Sequence, residues 1–429
     1  MPRVLLLAAT TGYQTRTFGE AAARLGVDLV FATDRCDMLE DPWQDAAIPV
    51  RFHDEEHSVA AILDRVREHP IDGVLVVGDR PTTIAALVGE ALGLPGHGPM
   101  AAAAARNKLL TRERLRDSDL PVPWFFPTSI DADPGELAGM LSYPCVVKPL
   151  SLSGSRGVIR ADDAASFVEA FARVRAVLAT PAVRAERAGD EGAHDTVLVE
   201  GFIDGWEFAL EGLIHHGALN ELALFDKPDP LDGPFFEETI YVTPSSAPDA
   251  MRRDIADAVG RAVAAIGLTH GPIHAECRVN DRGVYVLEVA ARPIGGLCAG
   301  ALRFQKKGTG PRVSLEELLL RHAIGESPDD WRREAQASGV MMIPIPRRGI
   351  YRGVEGVDEA KVVAGIEDVR ITAKPDQLLV PLPEGASYLG FIFSSGQTSG
   401  DAERALRVAH ARLRFAIDPE LPMVRSAHG

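Results

Sequence analysis

Cysteine is scarce: Cys36, Cys145, Cys277 and Cys298 are the only four in 429 residues. None sits in a CxxC or another metal-ligand spacing, which excludes zinc ribbons and dithiol redox motifs and reads as free thiols filling cores in a reducing compartment. Positive charge is in deficit, 45 basic against 61 acidic side chains for a net charge of −16. That balance argues against nucleic acid or an anionic membrane as the main partner, while leaving room for a local basic pocket. No apolar run approaches the roughly 20 residues of a membrane span. The opening MPRVLLLAAT lacks the long apolar stretch and cleavage site of a signal peptide, so it reads as a buried first strand in a cytoplasmic protein. The turn after that strand, Thr10-Thr11-Gly12-Tyr13, carries no G-x-G-x-x-G, and G-x-x-x-x-G-K-[ST] is missing throughout. Dinucleotide-binding and P-loop phosphate fingerprints are therefore both absent.

What remains is an ordinary globular composition, 46% hydrophobic and 25% charged, in a chain long enough for two or three domains with substantial cores. Residues 1–105 alternate strand-like runs (Val4–Ala8, Val27–Phe31, Gly73–Val77) with helical segments (Phe18–Leu25, Ala60–Arg67). That rhythm predicts a small doubly wound parallel sheet. Residues 106–335 carry the chemistry. They open with a helix near Asn107–Leu115 and a Pro-rich linker, LPVPWFFPTS. Residues 338–429 read as an α+β unit beginning with the strand-like GVMMIPIPRRGIYRGV and including a helix over Asp401–Phe415. Apart from the Ala-rich Ala101–Ala105, no repeat or low-complexity tract is present.

The stretch VVKPLSLSGSRGV, Val146–Val158, is a strand, a loop of small residues and a second strand. Such a hairpin tip can wrap an anion in backbone N–H groups and close over it as a water-excluding lid. Ser153, Gly154 and Ser155 form its tip. An ordinary flexible turn has the same composition, so the setting matters. Lys148 ends a strand of buried character, where a lysine needs an anionic partner or a solvated head. Lys108 opens the amphipathic NKLLTRERL, where a solvated face is the simpler reading.

Further on, GPIHAECRVNDRGVYVLEVAARPIGG reads as a hairpin turning at Asp281-Arg282-Gly283. Pairing Asn280 with Val284 sets Glu276 opposite Glu288. Strand alternation puts His274 beside Glu276, and Ala290 and Arg292 on the face of Glu288. Facing carboxylates repel unless a cation lies between them, and a hard divalent ion such as Mg²⁺ is the fitting one. VLVEGFIDGWEFALEG adds Glu200 and Glu207 around a turn at Asp204-Gly205, either a plain hairpin or a hinge. The segment Leu224–Ser245 reads as a long loop, in which Glu237 or Glu238 could hold an amino group and Phe235, Phe236 or Tyr241 could wall a pocket. His274 could serve the site or the core, and Gly295 and Gly296 offer backbone N–H groups to a substrate carboxylate.

The ordered series Lys108, Lys148 with Ser151–Gly157, Glu200 to Glu207, Glu276, and Glu288 to Arg292 resembles the ATP-grasp superfamily over roughly 230 residues. The tail from Arg347 to Gly396 resembles the C-terminal domain of L-amino-acid ligases, the dipeptide-forming branch. The resemblance implies an ATP-grasp fold: an N-terminal doubly wound α/β domain (1–105), a central ATP-binding domain (106–335) with a mobile lid (about 125–200), and a C-terminal α+β domain (338–429). It implies an ADP-forming carboxylate–amine ligase using ATP and Mg²⁺, with Mn²⁺ as an alternative. Its partners are small-molecule carboxylates and amines rather than nucleic acid or membrane, and a homodimer is compatible with it. Lys108, Lys148 and the loop would bind phosphates. Glu200, Gly201, Phe202 and Ile203 would meet adenine, Glu207 ribose, and Glu276 and Glu288 the metal. Arg292 would steady the acyl phosphate or the tetrahedral intermediate. Relatives commonly place Asn two residues after the second metal-binding acid; Ala290 stands there instead, which puts a second metal in doubt. The alternatives are a ligase of nucleotide or cofactor biosynthesis and a catalytically silent nucleotide-binding protein.

Overall fold

The computed structural model describes residues 1–9, 14–34, 47–185, 192–307 and 310–420, so Cys36 and the Thr10–Tyr13 turn lie outside the described residues. β1 (Arg3–Ala8), β2 (Asp28–Thr33), β3 (Ile48–Pro49) and β4 (Gly73–Val77) form a parallel sheet in the order β3-β2-β1-β4. The apolar β1 takes an inner position because both its faces are covered. Val4 and Leu6 pack with Phe18 on one side, Leu5 and Leu7 with Ile62 and Val88 on the other. β2 begins at Asp28 rather than at the expected Val27. Gly26, at φ +65°, closes the preceding helix, and the Val27 N–H is used to cap the Ala22 carbonyl.

A second, antiparallel sheet has the order β5-β8-β6-β7, from β5 (Phe125–Ser129), β6 (Cys145–Pro149), β7 (Ile159–Ala161) and β8 (Thr196–Gly201). The helix Ala164–Leu178 buries Phe167, Phe171 and Val174 against it. The expected linker is in part structured: Phe125–Ser129 pairs with β8, and Pro127 is tolerated because β5 lies at the sheet edge.

The largest sheet has eight antiparallel strands. β13 (Gly283–Ala290), β12 (Gly271–Asn280), β9 (Trp206–His215), β10 (Ala218–Asp226) and β11 (Ile240–Thr243) continue into the strands Ala337–Ile343, Gly390–Gly396 and Ile366–Ile371. The helix Asp249–Ile266 covers one face, with Ile255, Val259 and Val263 packed on Leu210, Ile273 and Cys277. β8 and β9 belong to different sheets, so the Asp204-Gly205 turn is a hinge between them and not a hairpin. The site cleft lies between these two sheets.

Three expectations need correction. The β12–β13 turn has two residues, Asp281 and Arg282, with Asn280 opposite Gly283, and a bulge beside Glu276 then shifts the register by one. Leu224–Ser245 is not one loop, since Leu224–Asp226 ends β10 and Ile240–Thr243 is β11. The last helix spans Ser399–His410, and Arg414–Asp418 leaves it as a strand paired with Gly349–Glu355.

Candidate active site

A cavity of about 470 Å³ opens between the two antiparallel sheets, with the end of β4 at its back. Lys108, Lys148, Ser153, Gly154, Ser155, the Glu200–Ile203 run, Glu207, Glu238, His274, Glu276, Glu288, Arg292, Gly295 and Gly296 all line it. Glu237 does not: it is half-buried beside the cavity, so of the two adjacent acids only Glu238 turns inward. Phe236 and Tyr241 wall the cavity, whereas Phe235 packs on the lid sheet's core.

One end is cationic. The Lys148 Nζ donates to Glu200 Oε1 at 2.5 Å, and the fully buried Arg112 donates to both Glu200 oxygens at 2.8 and 3.3 Å. Arg112 is fixed from behind by the Val286 and Leu287 carbonyls. Burial alone would raise Glu200, but its two cations draw it down to about 2. Lys148 shares that single carboxylate with Arg112, so burial pushes it down to about 8 against the pull of Glu200. The directions differ because one anion serves two cations, which leaves surplus positive charge for an incoming anion. Lys108 stands at the same end, with its Nζ 3.7 Å from Glu288 Oε2. Asn107 caps its helix by accepting from the Leu109 and Leu110 N–H groups, and its Nζ donates to the Leu152 carbonyl at 2.7 Å.

The loop above has three left-handed residues, Gly154 (φ +63°), Ser155 (φ +55°) and Gly157 (φ +73°). It is tied across the cleft to the C-terminal region. The Gly157 N–H donates to the Pro383 carbonyl at 2.9 Å, Arg156 to the Glu384 carbonyl at 3.0 Å, and Arg173 to the Glu384 carboxylate at 2.7 and 3.0 Å.

The centre is organised by Lys227, which sequence reasoning passed over. Its ammonium donates to Glu207 (2.8 Å), Glu238 (2.6 Å) and Glu276 (2.8 Å), and it is 3% exposed. The signal was a lysine at the end of an apolar strand within an acid-rich segment, since lysine is rarely buried unpaired. Burial, with the charge of Glu276 added, raises Glu238 to about 7, while Lys227 outweighs burial at Glu276 and holds it well below the carboxylate range. Lys227 thus favours the charged form at Glu276, while burial and the charge of Glu276 oppose it at Glu238. Glu207 also accepts from Arg278 at 2.8 Å, so both its oxygens are in ion pairs. Arg278 in turn takes the Ile203 carbonyl at 2.7 Å and lies over the Phe202 ring.

Glu276 and Glu288 oppose each other on β12 and β13 and both reach the cavity. Two hard oxygen donors facing one space fit Mg²⁺. Behind them Arg292 is held in a two-pronged pair with Asp79 at 2.7 and 3.0 Å, just beyond the end of β4. Burial works against Asp79, but Arg292 keeps it below its ordinary value. His274 donates to Glu211 at 3.1 Å with Glu276 at 3.7 Å. Burial would lower it, yet the hydrogen bonds to these acids raise it to about 9. Burial raises Glu211 too, but it also accepts the Ile294 N–H at 3.1 Å, so the pair's proton belongs to the imidazole. Gln14 donates to the Ile294 carbonyl at 2.8 Å, which fixes the Pro293–Gly296 turn. Ala290, opposite His274, brings no ligand of its own.

Tyr241, Cys298, Met342, Tyr388 and Phe391 form a further, partly aromatic wall of the cavity. Cys145, Cys277 and Cys298 are free and buried, as expected. Among the described residues no helix is long and apolar enough to cross a membrane.

Sequence models of known domains match three parts of the chain: an ATP-grasp N-terminal domain over residues 19–96, an ATP-grasp domain over 141–301, and an L-amino acid ligase C-terminal domain 2 over 341–418. The solved structure of an L-amino acid ligase from Bacillus licheniformis superposes with a TM-score of 0.80 at 28% identity, covering 97% of this chain and 99% of that one. A formate-dependent phosphoribosylglycinamide formyltransferase of Burkholderia cenocepacia is 29% identical over 95% of this chain and 94% of its own. Dapdiamide A synthase of Enterobacter agglomerans is 24% identical over 68% of each.

Proposed function

The chain belongs to the ATP-grasp superfamily, as an ATP- and Mg²⁺-dependent, ADP-forming carboxylate–amine ligase resembling L-amino acid ligases, and we propose that it joins an amino acid to a second amino acid or another amine. The observation carrying this reading is the cleft itself: surplus cations at one end, opposed carboxylates in the middle, and a small, partly aromatic chamber beyond them.

In this reading Lys108, Lys148 and the Ser153–Ser155 tip hold the ATP phosphates, and Glu200 keeps Lys148 aimed at them. The backbone of Gly201–Ile203 meets the adenine, and Glu207, already bridged by Lys227 and Arg278, faces the ribose. Glu276 and Glu288 would hold Mg²⁺, or Mn²⁺ in its place, and that ion would supply neutralisation of phosphate charge. The carboxylate oxygen attacks the γ-phosphorus, ADP leaves, and the acyl phosphate so formed loses phosphate when the amine attacks its carbon. Arg292, oriented by Asp79, faces the oxygen on which charge develops. Glu238 and the Gly295-Gly296 N–H groups recognise the substrate's amino and carboxylate ends, with His274 beside them. The loop held to Pro383 and Glu384 keeps water from the acyl phosphate.

The Burkholderia relative favours a second reading, a nucleotide-pathway ligase with a phosphorylated substrate. Against it stands the charge on the substrate side. Arg292 already pairs with Asp79 and Lys227 with three acids, so neither offers a phosphate monoester an uncompensated charge. Incubation with ATP, Mg²⁺ and pools of amino acids and amines tests the proposal. ADP, phosphate and an amide identified by mass are expected; turnover only with phosphorylated ribosyl amines would overturn it.

A further inference from the structure

Far from the cleft, four imidazoles converge. His215 ends β9, eight residues from Glu207, which is roughly 27 Å along an extended strand. His216 follows in the turn, His270 precedes β12, and His322 lies in the last turn of the helix Leu315–Ala323. Ring centroids are 4.4 Å apart for His215 and His216, 5.3 Å for His216 and His270, and 4.3 Å for His270 and His322. The His215 Nδ1 and His322 Nε2 are 3.2 Å apart. Ring nitrogens of His215, His216 and His270 lie within 4.8 Å of one another.

Two features make this more than a chance grouping. His216 sits at φ +50°, a left-handed conformation uncommon outside glycine, and Gly217 follows at φ +84°. That strained turn sets the rings of His215 and His216 close together. The Nδ1 of His270 is buried and has no hydrogen-bond partner. Several imidazoles converging on one space suit a borderline-soft transition-metal ion and not the oxygen-seeking Mg²⁺.

We propose that His215, His216 and His270 form a binding site for a divalent transition-metal ion, with His322 orienting His215 through their hydrogen bond. Nitrogens around tetrahedral zinc stand about 3.3 Å apart, given metal–nitrogen distances of about 2.0–2.1 Å. Small ring rotations close the present spacing to that value, and the exposed His216 provides the entry side. The ion clips the β9–β10 turn to the start of β12 and, through His322, to the helix Leu315–Ala323. Its role is structural, and separate from the Mg²⁺ of the ligase reaction.

The test uses the full-length, tag-free protein, stripped with a chelator and titrated with Zn²⁺ against a chromophoric competitor. One tight equivalent is expected, together with a raised melting temperature and, with Co²⁺, visible absorption of nitrogen-rich coordination. Excess Mg²⁺ and ATP should leave the equivalent in place. His216→Gly preserves the left-handed turn while removing the imidazole, and His270→Gln tests the buried ligand. Each should weaken Zn²⁺ binding at least about tenfold, since even outer-shell changes cost that much. Failure of wild-type protein to take up Zn²⁺ would overturn the proposal. So would equal uptake by wild type and both variants, which would place the ion elsewhere.

Discussion

Lys227→Met removes the ammonium that three carboxylates share and replaces it with an apolar chain of similar length. Lys227 is 3% exposed on its side chain, and Glu207, Glu238 and Glu276 lie 2.6–2.8 Å from it. Breaking a buried charge pair by removing one partner costs about 3–5 kcal/mol, because the other charge stays buried without compensation. At roughly 2.1 cal/mol/K per residue, this chain's unfolding entropy is about 0.9 kcal/mol/K, so the melting temperature should fall by about 3–6 °C near pH 8. The sign of the pH dependence follows from burial. Without Lys227, Glu238 and Glu276 lose the cation that opposes their burial and rise, the folded variant binds extra protons as the pH falls, and it recovers stability relative to wild type. Scanning fluorimetry at a fixed rate from pH 8 to pH 5 should therefore show the gap narrowing. A gap below about 1 °C, or one that stays constant over that range, would mean that the three acids are already solvated or protonated, and would refute the argument.

Lys148, pushed down to about 8, should be re-protonated when phosphates arrive. Calorimetry at pH 8 in buffers of different ionisation enthalpy should show proton uptake on nucleotide binding, and affinity should fall as the pH rises above 8. Binding without proton exchange would contradict the surplus-charge argument. Asp79→Asn removes a charged partner of Arg292, worth about 1.5–3 kcal/mol, so kcat should drop by about 10- to 150-fold with KM for ATP little changed. Equal losses in both would make Asp79 a structural residue only. Glu384→Ala cuts the half-exposed pair to Arg173, worth about 0.2–1 kcal/mol. The expected effect is at most about fivefold more phosphate released per amide formed, read from product ratios; an unchanged ratio would separate this contact from water exclusion.

The core of the cleft was legible because its residues recur at strand and loop positions that local pattern reveals. Lys148 ends an apolar run, and Glu276 and Glu288 follow from hairpin pairing. That pairing came out right through two offsetting differences: a two-residue turn in place of three, and a bulge beside Glu276 that moves the register back. The partners that set the electrostatics were not legible, because they come from distant chain segments. Arg112 meets Glu200 across 88 positions, Lys227 meets Glu276 across 49, and Arg292 meets Asp79 across 213. Periodicity reports which face a side chain takes, but carries no information on what the opposite element brings. Arg112 lies in the amphipathic NKLLTRERL without a signal of its own, and only the packing of that helix under β8 and β13 turns it inward. The same limit applied at Glu237 and Glu238, where a strand-to-loop transition decides which acid faces the cavity.

The central claim, that a substrate carboxylate is activated as an acyl phosphate in this cleft, is tested most directly by isotope transfer. The amino acid supplying the carboxylate, labelled with ¹⁸O in both of its carboxylate oxygens, is turned over with ATP, Mg²⁺ and the amine, and the phosphorus-containing products are analysed by mass. One ¹⁸O in inorganic phosphate, with unlabelled ADP, is the predicted result. Label in AMP would mean attack at the α-phosphorus and would contradict the account.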